Sequence, residues 1–196
     1  MSDTGKKTMD LLKKSKALLE GHFLLSSGLH SNRYVQCALV LQYPNYAAFL
    51  AKEIAKKFGK VKIDTVISPA IGGIVFGHEV ARAIRARALF AEREEGKLTL
   101  RRGFDIRKDE RVLVAEDVLT TGGTVKEIIK IVRNKKAKLV GVGSLVNRSM
   151  KRFNFGVPLK SLVKLNIKTF DAQHCPLCKE GLPLAKPGSR KSSPTS

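Results

Sequence analysis

The chain has 196 residues, the size of one domain, with 43% hydrophobic and 28% charged residues, which excludes a disordered or fibrous protein. Lysine and arginine outnumber the acids 37 to 17, for a net charge of +20. Such a field attracts polyanions: nucleic acid, anionic membrane or phosphorylated small molecules. No apolar run approaches the roughly 18 residues that cross a bilayer, and the first residues carry no signal-peptide pattern. Three cysteines are too few for a disulfide scaffold. These features lead to the expectation of a cytoplasmic protein with no membrane role.

The charge is uneven, with 15 Lys/Arg against only Asp171 and Glu180 in residues 128–196. That bias keeps a nucleic-acid-binding regulator in view. Against it stand an aromatic content of 6% with no tryptophan, which weakens any base-stacking platform, and the absence of zinc-finger or RNA-recognition spacing.

In chain order, residues 8–20 place Leu11, Leu12, Leu18 and Leu19 near helical spacing, with Gly21 as the stop. Two strand-like runs, 23–26 and 33–36, flank a polar turn at 27–32. Pro44 opens a helix over 45–58, closed by Gly59. A β-branched run at 63–68 leads through PAIGG (69–73) into a helix over 74–84. Strands are predicted at 88–92 and 97–102, the second as hairpin partner of the first, and again at 111–116 and 139–147. A helix over 125–134 separates the last two. Strands alternating with helices predict an α/β fold with a mostly parallel sheet flanked by helices. The end (184–196) is rich in Pro, Ser and Lys and reads as a tail, expected to be disordered over 186–196.

One segment carries the chemistry. In VLVAEDVLTTGGTVKEI (112–128), an apolar strand ends in Glu116 and Asp117. Val118 and Leu119 follow, then Thr120, Thr121, Gly122, Gly123 and Thr124, and then a helix. Thr124 with Glu127 fits a capping box, which sets the expected helix start at Thr124. Backbone N–H groups at the positive end of a helix dipole make an anion site, best filled by phosphate. Carboxylates at the carboxyl end of a parallel strand suit ribose hydroxyls or a hydrated Mg2+. The pattern is neither a Walker A loop nor GxGxxG.

This segment resembles the phosphoribosyl-diphosphate (PRPP) motif of the type I phosphoribosyltransferases. GHFLLSSGLHSNRYVQCALVLQYP (21–44), SPAIGGIVFG (68–77), LFAEREEGKLTLRRGF (89–104) and the cysteine-bearing C-terminal run (175–190) extend the resemblance. They identify the chain as similar to the orotate phosphoribosyltransferase family, in the bacterial and archaeal subgroup with the GHFLLSSGLHS opening.

The resemblance implies the type I fold in a single domain over 1–185, with a small hood drawn from 1–40 and the C-terminal part. A flexible lid hairpin over 92–104 completes it. It also implies the reaction of orotate with PRPP to give orotidine 5′-monophosphate and diphosphate, with Mg2+ held mainly by substrate and by Glu116 and Asp117. The PRPP site comprises Glu116, Asp117, Val118, Leu119, Thr120, Thr121, Gly122, Gly123 and Thr124. Arg93 and Lys97 from the lid join it, and with Asp117 form the catalytic set. Thr120, Arg148, Ser27 and Gly28 border orotate, and Ala70, Ile71, Gly72 and Gly73 bind diphosphate. A homodimer, in which each lid completes the partner's site, is implied, and orotidine monophosphate decarboxylase is a candidate partner. A transferase for a purine base is the remaining alternative.

Departures from the family pattern are Glu94 and Thr99 in the lid, Ser26 and Gly72 where lysines touch substrate in better-known members, and Asn147 before Arg148. Asn147 keeps an acceptor, so its effect is expected to be small. His174, Cys175 and Cys178 supply too few ligands for a structural zinc site in one chain. Cys175 and Cys178 are therefore expected to be reduced thiols packed against the domain. His22, His30 and His78 show no mutual spacing that suggests a metal. Gly72 and Gly73 could equally serve helix–sheet packing.

Overall fold

The structure, a computed structural model, describes residues 2–25, 27–149 and 151–187. Ser26 and most of the expected disordered tail, from residue 188, lie outside the described residues. Helix α1 (Asp3–Lys14) leads into strands β1 (Leu18–Leu24) and β2 (His30–Val35), then into α2 (Ala38–Leu41) and α3 (Pro44–Lys56). The main layer follows as β3 (Thr65–Pro69), α4 (Gly73–Ile84), β4 (Arg87–Glu94), β5 (Lys97–Leu100), β6 (Arg111–Leu119), α5 (Gly123–Asn134), β7 (Lys138–Asn147) and β8 (Leu159–Lys164). The chain then returns to the first hairpin through β9 (Thr169–Phe170), a 3-10 turn at Ala172–His174, α6 (Pro176–Lys179) and β10 (Leu184–Ala185).

The large sheet has the order β5-β4-β3-β6-β7-β8. All its neighbouring strands are parallel except the β4–β5 hairpin. Its winding reverses between β3 and β6, the place where α/β sheets open a crevice at the carboxyl ends of their strands. Both faces are covered. One core gathers Leu50, Ile54, Phe76, Val80 and Leu113 under α3 and α4. The other gathers Val112, Val114, Val125, Ile128 and Val132 under α5. Burial on two faces explains why β3 and β6 read as continuous apolar runs. A smaller sheet, β10-β1-β2-β9, joins the first hairpin to the last segment of the chain.

The expected helix over 8–20 is displaced: it starts at Asp3, where the Ser2 side chain caps it, and ends at Lys14. Lys16 turns left-handed at φ 55°. Its N–H donates to Lys13 O, and the Ala17 N–H donates to Leu12 O at 2.8 Å. This paired closure is the Schellman motif, usually built on glycine. Gly21 therefore stops no helix; it lies inside β1, at an irregularity of register between Glu20 and Phe23. The same closure, again with a basic residue in the left-handed position, ends α4 at Arg85 and α5 at Lys136. A cation there also interacts favourably with the helix dipole.

Candidate active site

β3 and β6 meet at the winding reversal, and their carboxyl ends carry the acidic pair and the PAIGG loop. β3 runs through Ala70, Ile71 and Gly72 into α4, and the Ala70–Ile71 peptide bond is cis. The Ala70 N–H is fixed by Ala91 O on β4 at 2.7 Å. Gly72 lies directly against Asp117: a Cβ there would stand 2.8 Å from Oδ2 of that carboxylate. Gly73 faces elsewhere, onto Pro69 Cδ at 2.9 Å. The two adjacent glycines thus do different work, one beside an acid and one in helix–sheet packing.

The acids differ as well. Glu116 is buried, at 6% exposure, while Asp117 is half-buried. Burial raises the Glu116 carboxyl well above its ordinary range, and repulsion from Asp117 adds to the effect.

The hydroxyl-rich loop lies between them and α5. Thr120 is half-buried, Thr121 is exposed, and Thr121 Oγ1 accepts from the Gly123 N–H at 3.5 Å. The expected capping box is not what starts α5. The helix begins one residue earlier, at Gly123, after a left-handed Gly122 (φ 76°) with no side-chain cap. Glycine is required at 122 on two grounds, the positive φ and a Phe153 ring 2.9 Å from where a Cβ would stand. The Glu127 carboxylate instead receives the Arg93 guanidinium, at 2.8 Å, and the Leu98 N–H. With only the 3.5 Å contact from Thr121 on its first amide, this helix end remains suited to an anion. Leu119, expected among the PRPP contacts, buries its side chain in the core, and its carbonyl accepts from the Arg148 N–H at 3.0 Å.

Arg148 follows β7 and is partly buried. Asn147 Oδ1 accepts from the Ser149 N–H at 2.9 Å, so the acceptor that asparagine retains shapes the turn around Arg148. Arg148 Nε is buried and has no hydrogen-bond partner among the described residues. A buried donor of this kind is costly unless a ligand supplies the acceptor. Burial also works against the Arg148 charge, and Tyr34 on β2 opposes that effect. The Tyr34 hydroxyl is itself pushed up by burial and feels both Arg148 and Asp117. Tyr34 is a candidate site residue that sequence reasoning missed; its only signal was its place in the strand-like run 33–36. Cys37 is buried under the same acids, with its thiol 3.8 Å from Asp117 O, and burial raises it well above its ordinary value. Ser27 and Gly28 occupy the exposed turn of the β1–β2 hairpin.

The expected lid segment continues the edge of the large sheet as a hairpin. β4 and β5 pair from Ala91↔Leu100 to Glu94↔Lys97, and Glu95 and Gly96 make a left-handed two-residue turn. Leu98 packs into the core under α5, while Lys97 is exposed. Arg101 pairs with Glu94 and Arg102 with Glu92.

A groove of about 990 Å3 lies at the opposite end of the sheet, among Lys62, Asp64, Arg87 and Glu110. These residues flank the amino ends of β3, β4 and β6, away from the acidic pair and the phosphate loop. This groove therefore does not coincide with the acidic pair. The C-terminal cysteines depart from expectation: Cys175 and Cys178 meet His22 and His30, whose spacing suggested no metal, whereas His174 is exposed.

A model of the phosphoribosyl transferase domain matches residues 40–174. The orotate phosphoribosyltransferase of Caldanaerobacter subterraneus subsp. tengcongensis is 57% identical over 185 residues, which is 94% of this chain and 97% of the relative. That of Thermotoga maritima is 50% identical over 181 residues, 92% of this chain and 97% of the relative. Among solved structures, orotate phosphoribosyltransferase from Aeropyrum pernix superposes with a TM-score of 0.68 at 26% identity, covering 80% of this chain and 92% of that one. Leishmania donovani UMP synthase gives 0.72 at 22% identity over 92% of this chain but 39% of its own, a likeness of fold. From a family model over most of the chain and relatives matched along nearly their whole length, it follows that the chain belongs to the phosphoribosyltransferase family, among its orotate phosphoribosyltransferases.

Proposed function

We propose that the chain transfers the 5-phosphoribosyl group of PRPP to orotate, giving orotidine 5′-monophosphate and diphosphate. The observation that carries this reading is the meeting of three elements at the winding reversal. They are Asp117 against the Gly72 loop, the uncapped amino end of α5, and the unpartnered Nε of Arg148. Together they match a substrate with a phosphate at one end and a ribose diol in the middle, joined by a planar carboxylate-bearing base.

The α5 amides and the hydroxyls of Thr120, Thr121 and Thr124 hold the 5′-phosphate. Asp117 accepts from the ribose hydroxyls, beside Glu116, whose carboxyl burial raises well above its ordinary range. The backbone of residues 70–73 takes the diphosphate. Arg148 offers a fork of donors that suits a planar carboxylate, with Ser27, Gly28 and Tyr34 bordering the ring. Orotate N1 bonds to C1′ as diphosphate leaves, and the N1 proton passes to solvent or to the departing diphosphate, so positioning and charge neutralisation supply the rate without a dedicated protein base.

The donor set fits Mg2+: one half-buried carboxylate, Asp117, beside substrate oxygens is the kind of sparse protein coordination this ion accepts. When bound, Mg2+ supplies Lewis-acid neutralisation of the diphosphate charge.

Arg93 and Lys97 complete the site from a neighbouring subunit of a homodimer. The Arg93–Glu127 pair, each side chain 37% exposed, is worth at most about 1 kcal/mol, so Arg93 can exchange Glu127 for diphosphate. The working location is the cytoplasm; among the described residues no helix is long and apolar enough to cross a membrane.

The test is absorbance loss in the orotate band on mixing protein, PRPP and Mg2+ with orotate, with hypoxanthine, xanthine and adenine in parallel. Turnover with orotate alone is expected. Turnover with a purine base would remove the assigned roles of Arg148, Ser27 and Gly28. PRPP binding without turnover on any base would favour the regulator, and nucleic-acid binding with a steep salt dependence would then be sought.

A further inference from the structure

We propose that His22, His30, Cys175 and Cys178 of a single chain form a structural Zn2+ site that fastens the C-terminal segment to the hood. One ligand atom from each of the four lies within 4.8 Å of every other. His22 Nε2 is 2.8 Å from His30 Nδ1, 3.6 Å from Cys175 Sγ and 3.7 Å from Cys178 Sγ, and Cys178 Sγ is 3.3 Å from His30 Nδ1. In a tetrahedral site with zinc–nitrogen near 2.05 Å and zinc–sulfur near 2.3 Å, the edges are about 3.3 Å for N···N and about 3.6 Å for N···S. These four edges fall within about half an ångström of those values, and every pair among the four ligand atoms stays within 4.8 Å, so binding asks for a modest rearrangement of the four side chains.

The surroundings support the donor set. His22 Nδ1 lies 2.9 Å from Leu182 O. With its proton on that nitrogen, Nε2 presents its lone pair to the other three ligands, the outer hydrogen bond that metal-bound histidines make. His22, His30 and Cys175 are each at most 5% exposed, and both cysteines are free thiols. Cys178 alone reaches the surface and gives exchange a route. Binding displaces one proton from each thiol, so Zn2+, two thiolates and two neutral imidazoles make an uncharged group that tolerates burial. With four protein ligands the site is closed, which suits structure rather than catalysis.

The ligands come from elements distant in sequence. His22 is on β1 and His30 on β2. Cys175 precedes α6 and Cys178 lies within it. β10 pairs with β1 through His22↔Leu184, a two-residue contact that could not hold the returning segment by itself. His30 also opens the strand after the Ser27–Gly28 turn, so the metal would brace that turn. This inference does not depend on which base the chain uses.

The test is elemental analysis of protein purified without chelator from zinc-supplied cells, with cobalt titration of metal-free protein as the second measurement. The expected results are about one zinc per chain and the intense visible bands of a tetrahedral cobalt–thiolate. Cys175→Ser and Cys178→Ser should lose zinc. Hydrogen exchange should rise in residues 18–35 and 172–185 on metal removal, with α3 and β3 unchanged. Any of four results would overturn the proposal: two titratable thiols with neither zinc nor cobalt bands, a Cys175–Cys178 disulfide in the purified protein, zinc retained by both variants, or half a zinc per chain, which would mean a site shared between subunits. If a serine variant fails to fold, the cobalt spectrum of the wild type still decides.

Discussion

Replacing Gly72 by alanine separates the role of Asp117 from simple packing. The backbone at Gly72, φ −58° and ψ −38°, is ordinary for alanine, so the change carries no conformational penalty. It should even favour the folded state by about 0.4–1 kcal/mol through the unfolded chain. The added Cβ meets Asp117 Oδ2 at 2.8 Å, so the carboxylate must retreat by about half an ångström to reach an ordinary contact. Asp117 is half-buried and can rotate away at little cost in stability, but it then leaves the ribose diol. Losing one hydrogen bond to a charged group costs about 1.5–3 kcal/mol, which is about 10- to 150-fold in kcat/KM. Gly73→Ala is the control. Its Cβ would lie 2.9 Å from the Pro69 ring, which cannot rotate aside, so about 1–3 kcal/mol of overpacking is expected. At about 2–4 °C per kcal/mol, Gly73→Ala should lower Tm by several degrees, whereas Gly72→Ala should leave Tm unchanged or slightly raised. Steady-state kinetics in PRPP and a thermal melt read both variants. Gly72→Ala with kcat/KM within about threefold of wild type would refute the assignment of Asp117 to the ribose.

Lys97→Ala should lower kcat far more than it weakens PRPP binding, because a lid cation acts on the charge that develops as diphosphate leaves; equal losses in turnover and in a direct PRPP titration would contradict that role. Glu116→Gln should gain stability relative to the wild type as pH rises. Below the ordinary carboxylate range the group is protonated folded and unfolded. Above it the unfolded carboxyl ionises first, so wild-type stability falls by about 1.4 kcal/mol per pH unit until the raised folded pKa is reached. A stability gap between the two proteins that does not grow from pH 5 upward would count against this account. Lys136→Gly should raise stability by up to about 1 kcal/mol, since a left-handed non-glycine residue (φ 56°) closes α5; urea denaturation giving no gain would show that the cation's attraction to the helix end offsets the strain. Glu127→Gln should speed hydrogen exchange at Leu98, whose N–H the carboxylate accepts at 3.2 Å, and unchanged protection would mean that Leu98 packing alone docks the hairpin.

What was legible in the sequence was local. The run from Val112 to Glu127 announces strand, acids, turn and helix because each of those conformations is set by neighbours a few residues away; the structure keeps that order, with β6 running on to Leu119, three residues past its expected end at 116, and α5 starting at Gly123. The end of α1 was not legible, because a lysine at φ 55° carries none of the signal that a glycine would. The start of α5 was misplaced for a related reason: Glu127 had a better use in receiving Arg93 and Leu98 from a hairpin some 30 residues earlier.

By itself the sequence determined the alternation of strands and helices, the family resemblance, and the hydroxyl-rich loop after its acidic pair, all carried by short-range periodicity and turn chemistry. Only the tertiary structure decided which distant residues meet: Gly72 with Asp117, Tyr34 with Arg148, and His22 and His30 with two cysteines some 150 positions later. The physical reason is that those meetings depend on sheet order and strand register, to which residues far apart in the chain contribute jointly and which no local spacing reports.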